Sequence, residues 1–269
     1  MHLLQSLFVL LDYGDRITFN PTSDGTIRRI DRHTFKLPED DLCTRAAEML
    51  KQHSANRSLG ATITLEKFIP PGAGLGAGSS NAATVLLALN KLWQTNLSLE
   101  TLAEIGLKLG ADIPVFIYGR ASWAEGVGEQ LSPVELDWIS DKQYFVVLIP
   151  PVSVSTVDIF SHPELKRNHA PVGMQDFIAG DCINTLQPLV VALFPQVGQC
   201  VDYLNQFGQA RMSGTGAAVF ASFADEQQAR SVVSGAPDGV IGFVSKICHP
   251  EPVHIALGIQ ATGTQPLSN

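Results

Sequence analysis

Apolar positions along the chain switch between a period of two and a period of about 3.6, and the switches mark its elements. Val9 to Phe19 reads as a strand, a turn centred on Gly14 and a second strand, and Thr26 to Ile30 continues the pattern. Apolar residues at 42, 46, 47 and 50 predict a helix over Asp40 to His53, and Ala61 to Ile69 alternates as a strand. Pro70 to Gly78 breaks the pattern, and a helix follows with Ala82, Val85, Leu86, Leu89, Leu92 and Trp93 on its apolar side. Ser98 is placed to cap the next helix, with Glu100 in its first turn and Gly110 past its end. Pro114 suits a first helical turn, so Asp112 is a candidate cap for Ile113 to Tyr118. Further on, the pattern predicts a strand at Phe145 to Ile149 and helices near Ile183 to Leu193 and Val197 to Asn205. A strand at Ala217 to Phe223, a helix at Asp225 to Val233, a strand at Val240 to Ile247 and a polar tail after Gly258 complete it.

Composition narrows what such a chain does. With 45% apolar and 16% charged residues in 269, it builds a real core and is not disordered. Eighteen basic against 26 acidic residues give a net charge of −8, which excludes general attraction to nucleic acid or anionic lipid. Any anion is therefore held by local geometry. Cys43, Cys182, Cys200 and Cys248 show no metal-ligand spacing and suit free thiols in a reducing, cytoplasmic setting. No apolar run approaches the roughly 20 residues of a membrane span. The opening residues lack the basic leader and cleavage site of a signal peptide, so a strand beginning almost at residue one is expected.

The candidate chemistry lies in Pro70, Pro71, Gly72, Ala73, Gly74, Leu75, Gly76, Ala77, Gly78, Ser79 and Ser80. Small residues let the backbone close around a ligand while the next helix directs unpaired N–H groups into the same space, an arrangement that suits phosphate. Three readings compete. A Walker loop needs a Lys after the last glycine, and none is there. Gly72, Gly74 and Ala77 satisfy the dinucleotide pattern, yet no acidic residue occurs between Gly78 and Glu100 to hold a ribose. A glycine turn that merely packs a helix against a strand is the third.

Four ordered motifs carry a resemblance. They are Lys67-x-x-Pro70-x-Gly-Ala-Gly-Leu-Gly-Ala-Gly-Ser-Ser-Asn81-Ala-Ala-Thr-Val, Gly110-Ala-Asp-Ile-Pro-Val-Phe116, Ala124-Glu-Gly-Val-Gly-Glu129 and Met212-Ser-Gly-Thr-Gly-Ala217. Together they resemble the GHMP kinases, the superfamily of galactokinase, homoserine kinase and mevalonate kinase, from His2 to about Ile247. The likeness is narrowest to members acting on a diphosphocytidyl polyol. It implies a mixed α/β fold of two domains, a nucleotide-binding domain over residues 1–140 and a ferredoxin-like domain over 141–269, with the cleft between them. It also implies ATP-dependent phosphorylation of the 2-hydroxyl, on a tertiary carbon, of a cytidine diphosphate substrate in the non-mevalonate route to isoprenoid precursors. By resemblance Asp112 accepts the hydroxyl proton, Pro70 to Ser80 wrap the ATP phosphates and Lys67 lies near the adenine. Gly214, Thr215 and Gly216 form a second glycine turn at the cleft. His2 and Phe160 hold the cytosine and Thr156 meets the substrate phosphates. Mg²⁺ accompanies ATP without assigned protein ligands, and no nucleic-acid partner, membrane partner or oligomeric state is implied. On local sequence alone Asp112 is a helix cap, Phe160 is core and Gly214 to Gly216 is an ordinary turn; His33, His53, His162, His169, His249 and His254 read as surface or structural residues.

The chain departs from the family pattern at Asp41, where an Asn is usual, and at Ala77, where a glycine is usual. A family segment Pro-Ala-Lys-x-Asn-Leu, whose Lys partners the catalytic Asp, has no counterpart before His2-Leu3-Leu4-Gln5. A late start codon is the expectation, with a shortened chain and lost chemistry as alternatives. The last would make the protein a nucleotide binder without turnover; a different GHMP kinase is the remaining alternative.

Overall fold

The computed structural model describes residues 5–37, 39, 41–136, 143–167, 169–178, 183–249 and 252–259. In the first half the elements are β1 (Ser6–Phe8), β2 (Arg16–Thr22), β3 (Ile27–Asp31), α1 (Leu42–Gln52), β4 (Gly60–Glu66), α2 (Ala77–Leu92), α3 (Leu99–Leu109), α4 (Ile113–Tyr118), β5 (Ser122–Glu125) and β6 (Gln130–Pro133). The second half contributes β7 (Tyr144–Ile149), α5 (Thr156–Ser161), α6 (Met174–Ile178), α7 (Gln187–Leu193), α8 (Pro195–Leu204), β8 (Arg211–Met212), β9 (Val219–Phe223), α9 (Glu226–Ser234), β10 (Ile241–Ser245) and α10 (Pro252–Leu257).

The strand β4 lies between β2, antiparallel to it, and β3, parallel to it. Its alternate residues Ala61, Ile63 and Leu65 are buried against Ala46, Ala47 and Leu50 of α1 and the long apolar run of α2. The run Val85 to Leu89 is buried throughout because α2 is covered by other elements on most sides. Leu92, expected on the buried side, is 45% exposed; the helix ends there, and Trp93 turns in to donate its indole N–H to the Gly60 carbonyl at 3.1 Å. Ser98 caps α3 as expected, its hydroxyl accepting from Thr101 N.

The expected hairpin around Gly14 is absent. Residues 6–8 pair with β5 and residues 16–22 with β4, so the intervening segment crosses between two sheets. There Leu11 bridges Ile247, and Tyr13 stacks on Phe243 with centroids 3.9 Å apart. Alternation alone does not say which neighbour a strand pairs with. The second half forms an antiparallel sheet in the order β10-β7-β9-β8, and its β-α-β-β-α-β succession is ferredoxin-like. Its core joins Val146 and Leu148 to α8 and α9. A smaller cluster, Ile69, Ala73, Val147, Ile149, Ala218 and Phe243, joins the two halves where the glycine loop lies. The expected boundary near residue 140 falls in 137–142, outside the described residues, as does the tail beyond 259. From the second half, α10 returns to pack on α2, placing Val253 and Leu257 on the first core and His254, 1% exposed, beneath Gly119. Among the described residues no helix is long and apolar enough to cross a membrane. Cys43 and Cys200 are buried free thiols; Cys182 lies outside the described residues.

Candidate active site

The glycine loop runs from β4 into α2 along one wall of a cleft of about 2600 Å³. Gly72, Gly74 and Gly76 have φ of +73°, +73° and +64°. Space as well as conformation demands glycine at 74: a Cβ there would lie 2.4 Å from the Gly216 carbonyl oxygen and 2.6 Å from that of Ser213. The first bond bridging loop and helix runs from Ser80 N to Gly76 O, so the amides of Ala77, Gly78 and Ser79 precede the helical ladder. Gly76, at the cap position, offers no side chain to occupy them.

A buried carboxylate absent from the sequence-based expectations holds both ends of this loop. Asp15, its side chain 0% exposed, accepts from Phe68 N (2.8 Å), Ile69 N (3.0 Å), Asn81 Nδ2 (2.8 Å) and Lys67 Nζ (2.5 Å). These bonds bend the chain out of β4, which is why the strand expected to reach Ile69 stops at Glu66. Lys67, expected near adenine, borders the cleft but its ammonium is buried on Asp15. Asp41 caps α1 through Thr44 N and pairs its other oxygen with Arg29.

The second glycine turn packs on the first. Ser213 Oγ donates to Gly74 O (2.8 Å) and Ala218 N to Ala73 O (2.8 Å). Asn184, another residue missed from sequence, fixes the turn by donating to the carbonyls of Met212 (2.9 Å) and Gly214 (2.7 Å). Thr215 meets Thr156 of α5, hydroxyl to hydroxyl at 3.0 Å. Phe160, on the same helix, is half-buried; it borders the cleft and also packs on the second core. His2 lies outside the described residues.

Asp112 precedes α4 with φ −82° and ψ −15° and makes no side-chain capping bond, which removes the helix-cap reading. Its carboxyl has no hydrogen-bond or ionic partner among the described residues, and burial raises its pKa above the ordinary carboxylate value. It shares the cleft with the glycine loop, and one turn along α4 the Phe116 ring lies where a Cβ on Gly76 would approach to 3.0 Å. The Ala124–Glu129 motif is the turn of the β5–β6 hairpin. Glu129 accepts from Val127 N at 2.6 Å, and hydrogen bonds from the backbone hold its pKa down. Among the described residues no group of three His, Cys, Asp or Glu side chains is placed to hold a metal ion.

Comparison with known proteins agrees with this geometry. Residues 41–120 match the GHMP kinases N terminal domain and residues 165–240 the GHMP kinases C terminal domain. A 4-diphosphocytidyl-2-C-methyl-D-erythritol kinase of Nitrosococcus oceani is 46% identical over 252 residues, 92% of this chain and 87% of that protein. One from Halorhodospira halophila is 44% identical over 256 residues, 95% and 88% of the two chains. A crystal structure of 4-(cytidine 5'-diphospho)-2C-methyl-D-erythritol kinase superposes with a TM-score of 0.74 at 29% identity, over 91% of this chain and 90% of that one. A fold with two glycine turns locked together, a carboxyl in the same cleft without a partner among the described residues and relatives of this closeness lead to one assignment: the chain is a small-molecule kinase that belongs to the 4-diphosphocytidyl-2-C-methyl-D-erythritol kinase family of the GHMP superfamily.

Proposed function

We propose that the protein transfers the γ-phosphoryl group of ATP to the 2-hydroxyl of 4-diphosphocytidyl-2-C-methyl-D-erythritol, with Asp112 as the base. The observation that carries the chemical part is a half-buried carboxyl, without a partner among the described residues, lining the same cleft as the glycine loop. Burial makes this carboxylate more basic than an ordinary Asp, which favours taking a proton from a weakly acidic tertiary alcohol. As the hydroxyl oxygen bonds to γ-phosphorus and the bond to the ADP oxygen breaks, the proton passes to Asp112. The amides at the start of α2 and the loop from Pro70 to Ser80 face the negative charge of the phosphates, which the positive end of the helix stabilises. Mg²⁺ enters as part of the ATP substrate. Thr156, close to Thr215, is assigned to the substrate phosphates and Phe160 to the cytosine, together with His2 on the family resemblance alone. The cytoplasm, where ATP and reduced thiols coexist, is the matching compartment.

The test is ADP release with a panel of acceptors at equal concentration: the diphosphocytidyl polyol, mevalonate, homoserine and galactose. Turnover confined to the first, with a phosphomonoester on carbon 2 of the product, is expected. Comparable turnover of any other acceptor, or none with the first, overturns the assignment.

A further inference from the structure

The cleft has a second fastening, away from the reacting centre. Gln5, just before β1, accepts a hydrogen bond from Val172 N at 2.7 Å and donates one from Nε2 to Glu125 Oε1 at 3.0 Å. Val172 belongs to a strap, residues 169–173, that leads into α6, and Phe177 of α6 meets Trp123 of β5 edge-on with ring centroids 5.7 Å apart. At its other end the chain is tied to α5. Arg167 donates to the carbonyls of Phe160 (2.8 Å), His162 (2.8 Å) and Leu165 (3.0 Å). The strap therefore connects the helix carrying Phe160 to the strand that follows His2, and Ala170 and Pro171 border the cleft between them.

We propose that Gln5 is a positioning residue for the nucleotide substrate: by joining the strap to β1 and Glu125 it fixes the spacing between the Phe160 ring and the β1 wall. The inference rests on the assignment of Phe160 to the cytosine. The chemistry of the junction requires an amide. Val172 N needs an acceptor and Glu125 needs a donor, and a primary amide supplies both from one planar group. A glutamate at 5 would keep the first bond and set two carboxylates against each other; a lysine would keep only the second. Gln5 and both of its bonds are exposed, so they add little to global stability. Their effect is concentrated on the strap.

The experiment is steady-state kinetics with ATP and the diphosphocytidyl polyol for Gln5→Ala, Gln5→Glu, the exchange Gln5→Glu with Glu125→Gln, and Phe160→Ala. Gln5→Ala and Gln5→Glu are expected to raise KM for the polyol substrate by roughly 3- to 10-fold, the scale of one or two exposed hydrogen bonds, with kcat and KM for ATP unchanged. The exchange restores a donor and acceptor in reversed order and is expected to bring KM back to near the parent value. Merely loosening the fold would not be repaired by that reversal. An unchanged substrate KM in Gln5→Ala while Phe160→Ala raises it overturns the role of Gln5 alone, as does an equal rise in KM for ATP or an exchange that fails to restore. An unchanged substrate KM in Phe160→Ala overturns the cytosine assignment and the Gln5 proposal with it.

Discussion

Asp15 and Gln5 both tie distant segments of chain together at the rim of the same cleft, one in full burial and the other in solvent. Asp15 takes four donors from Lys67, Phe68, Ile69 and Asn81 and is closed off from water. Gln5 makes two bonds, both exposed. The glycine loop that Asp15 anchors is also wedged against the second glycine turn, so no side chain fits at Gly74. On the opposite side Thr156 is exposed and Phe160 half-buried. On the proposed assignment the phosphate side is ordered when the protein folds, and ATP would find its donors in place. The side proposed for the nucleotide substrate is held by exposed hydrogen bonds, those of Gln5 and Arg167, that small changes would loosen.

The sharpest way to break this contrast is Asp15→Asn. It leaves the Lys67 ammonium buried without a counter-charge, and breaking a buried pair from one side costs about 3–5 kcal/mol. Urea unfolding is expected to show that loss together with weakened ATP binding; a change under about 1 kcal/mol would mean that the phosphate side is not built on this carboxylate. Phe160→Ala probes the other side. It is expected to cost about 1–3 kcal/mol in binding of the cytidine substrate by calorimetry and to leave ATP affinity unchanged. Equal losses for both ligands would merge the two sides into one. The smallest effect concerns the stability that Asp112 gives up. Its folded pKa lies above the ordinary value of 3.8, so the folded state binds this proton more tightly than the unfolded state. The penalty is absent below the unfolded pKa, grows as pH rises through the folded pKa and is constant beyond it. Asp112→Asn is therefore expected to raise Tm slightly at pH 8 and to lose that advantage at pH 3.5. A lower Tm at pH 8 would show that the carboxylate is stabilised by contacts rather than isolated.

Much of this was legible in the sequence because it rests on local rules. The cap at Ser98, the loop–helix transition after Pro70 and the strand of Tyr144–Ile149 follow from propensity and period alone. The glycine motifs marked the two turns that pack on one another, whereas the helix cap that local sequence favoured at Asp112 does not form. Long-range partners were not legible. Asp15 lies 52 residues from Lys67 and 66 from Asn81, and nothing near it in sequence sets it apart from Asp12. Asn184 meets the second glycine turn across 30 residues, and Gln5 meets Val172 across 167. The pairing of the first strand was misread for the same reason, since alternation fixes the faces of a strand but not its neighbour.

On the proposed mechanism, a carboxyl with no partner among the described residues takes the proton beside a pre-ordered phosphate loop. Single-turnover phosphoryl transfer from ATP to the diphosphocytidyl polyol, with both ligands saturating, tests it most directly when the parent is compared with Asp112→Asn and binding of each ligand is measured alongside. A rate lower by about 10²- to 10⁴-fold, the usual contribution of a positioned base, with both affinities retained is the result expected. Transfer by Asp112→Asn within a few-fold of the parent would contradict it.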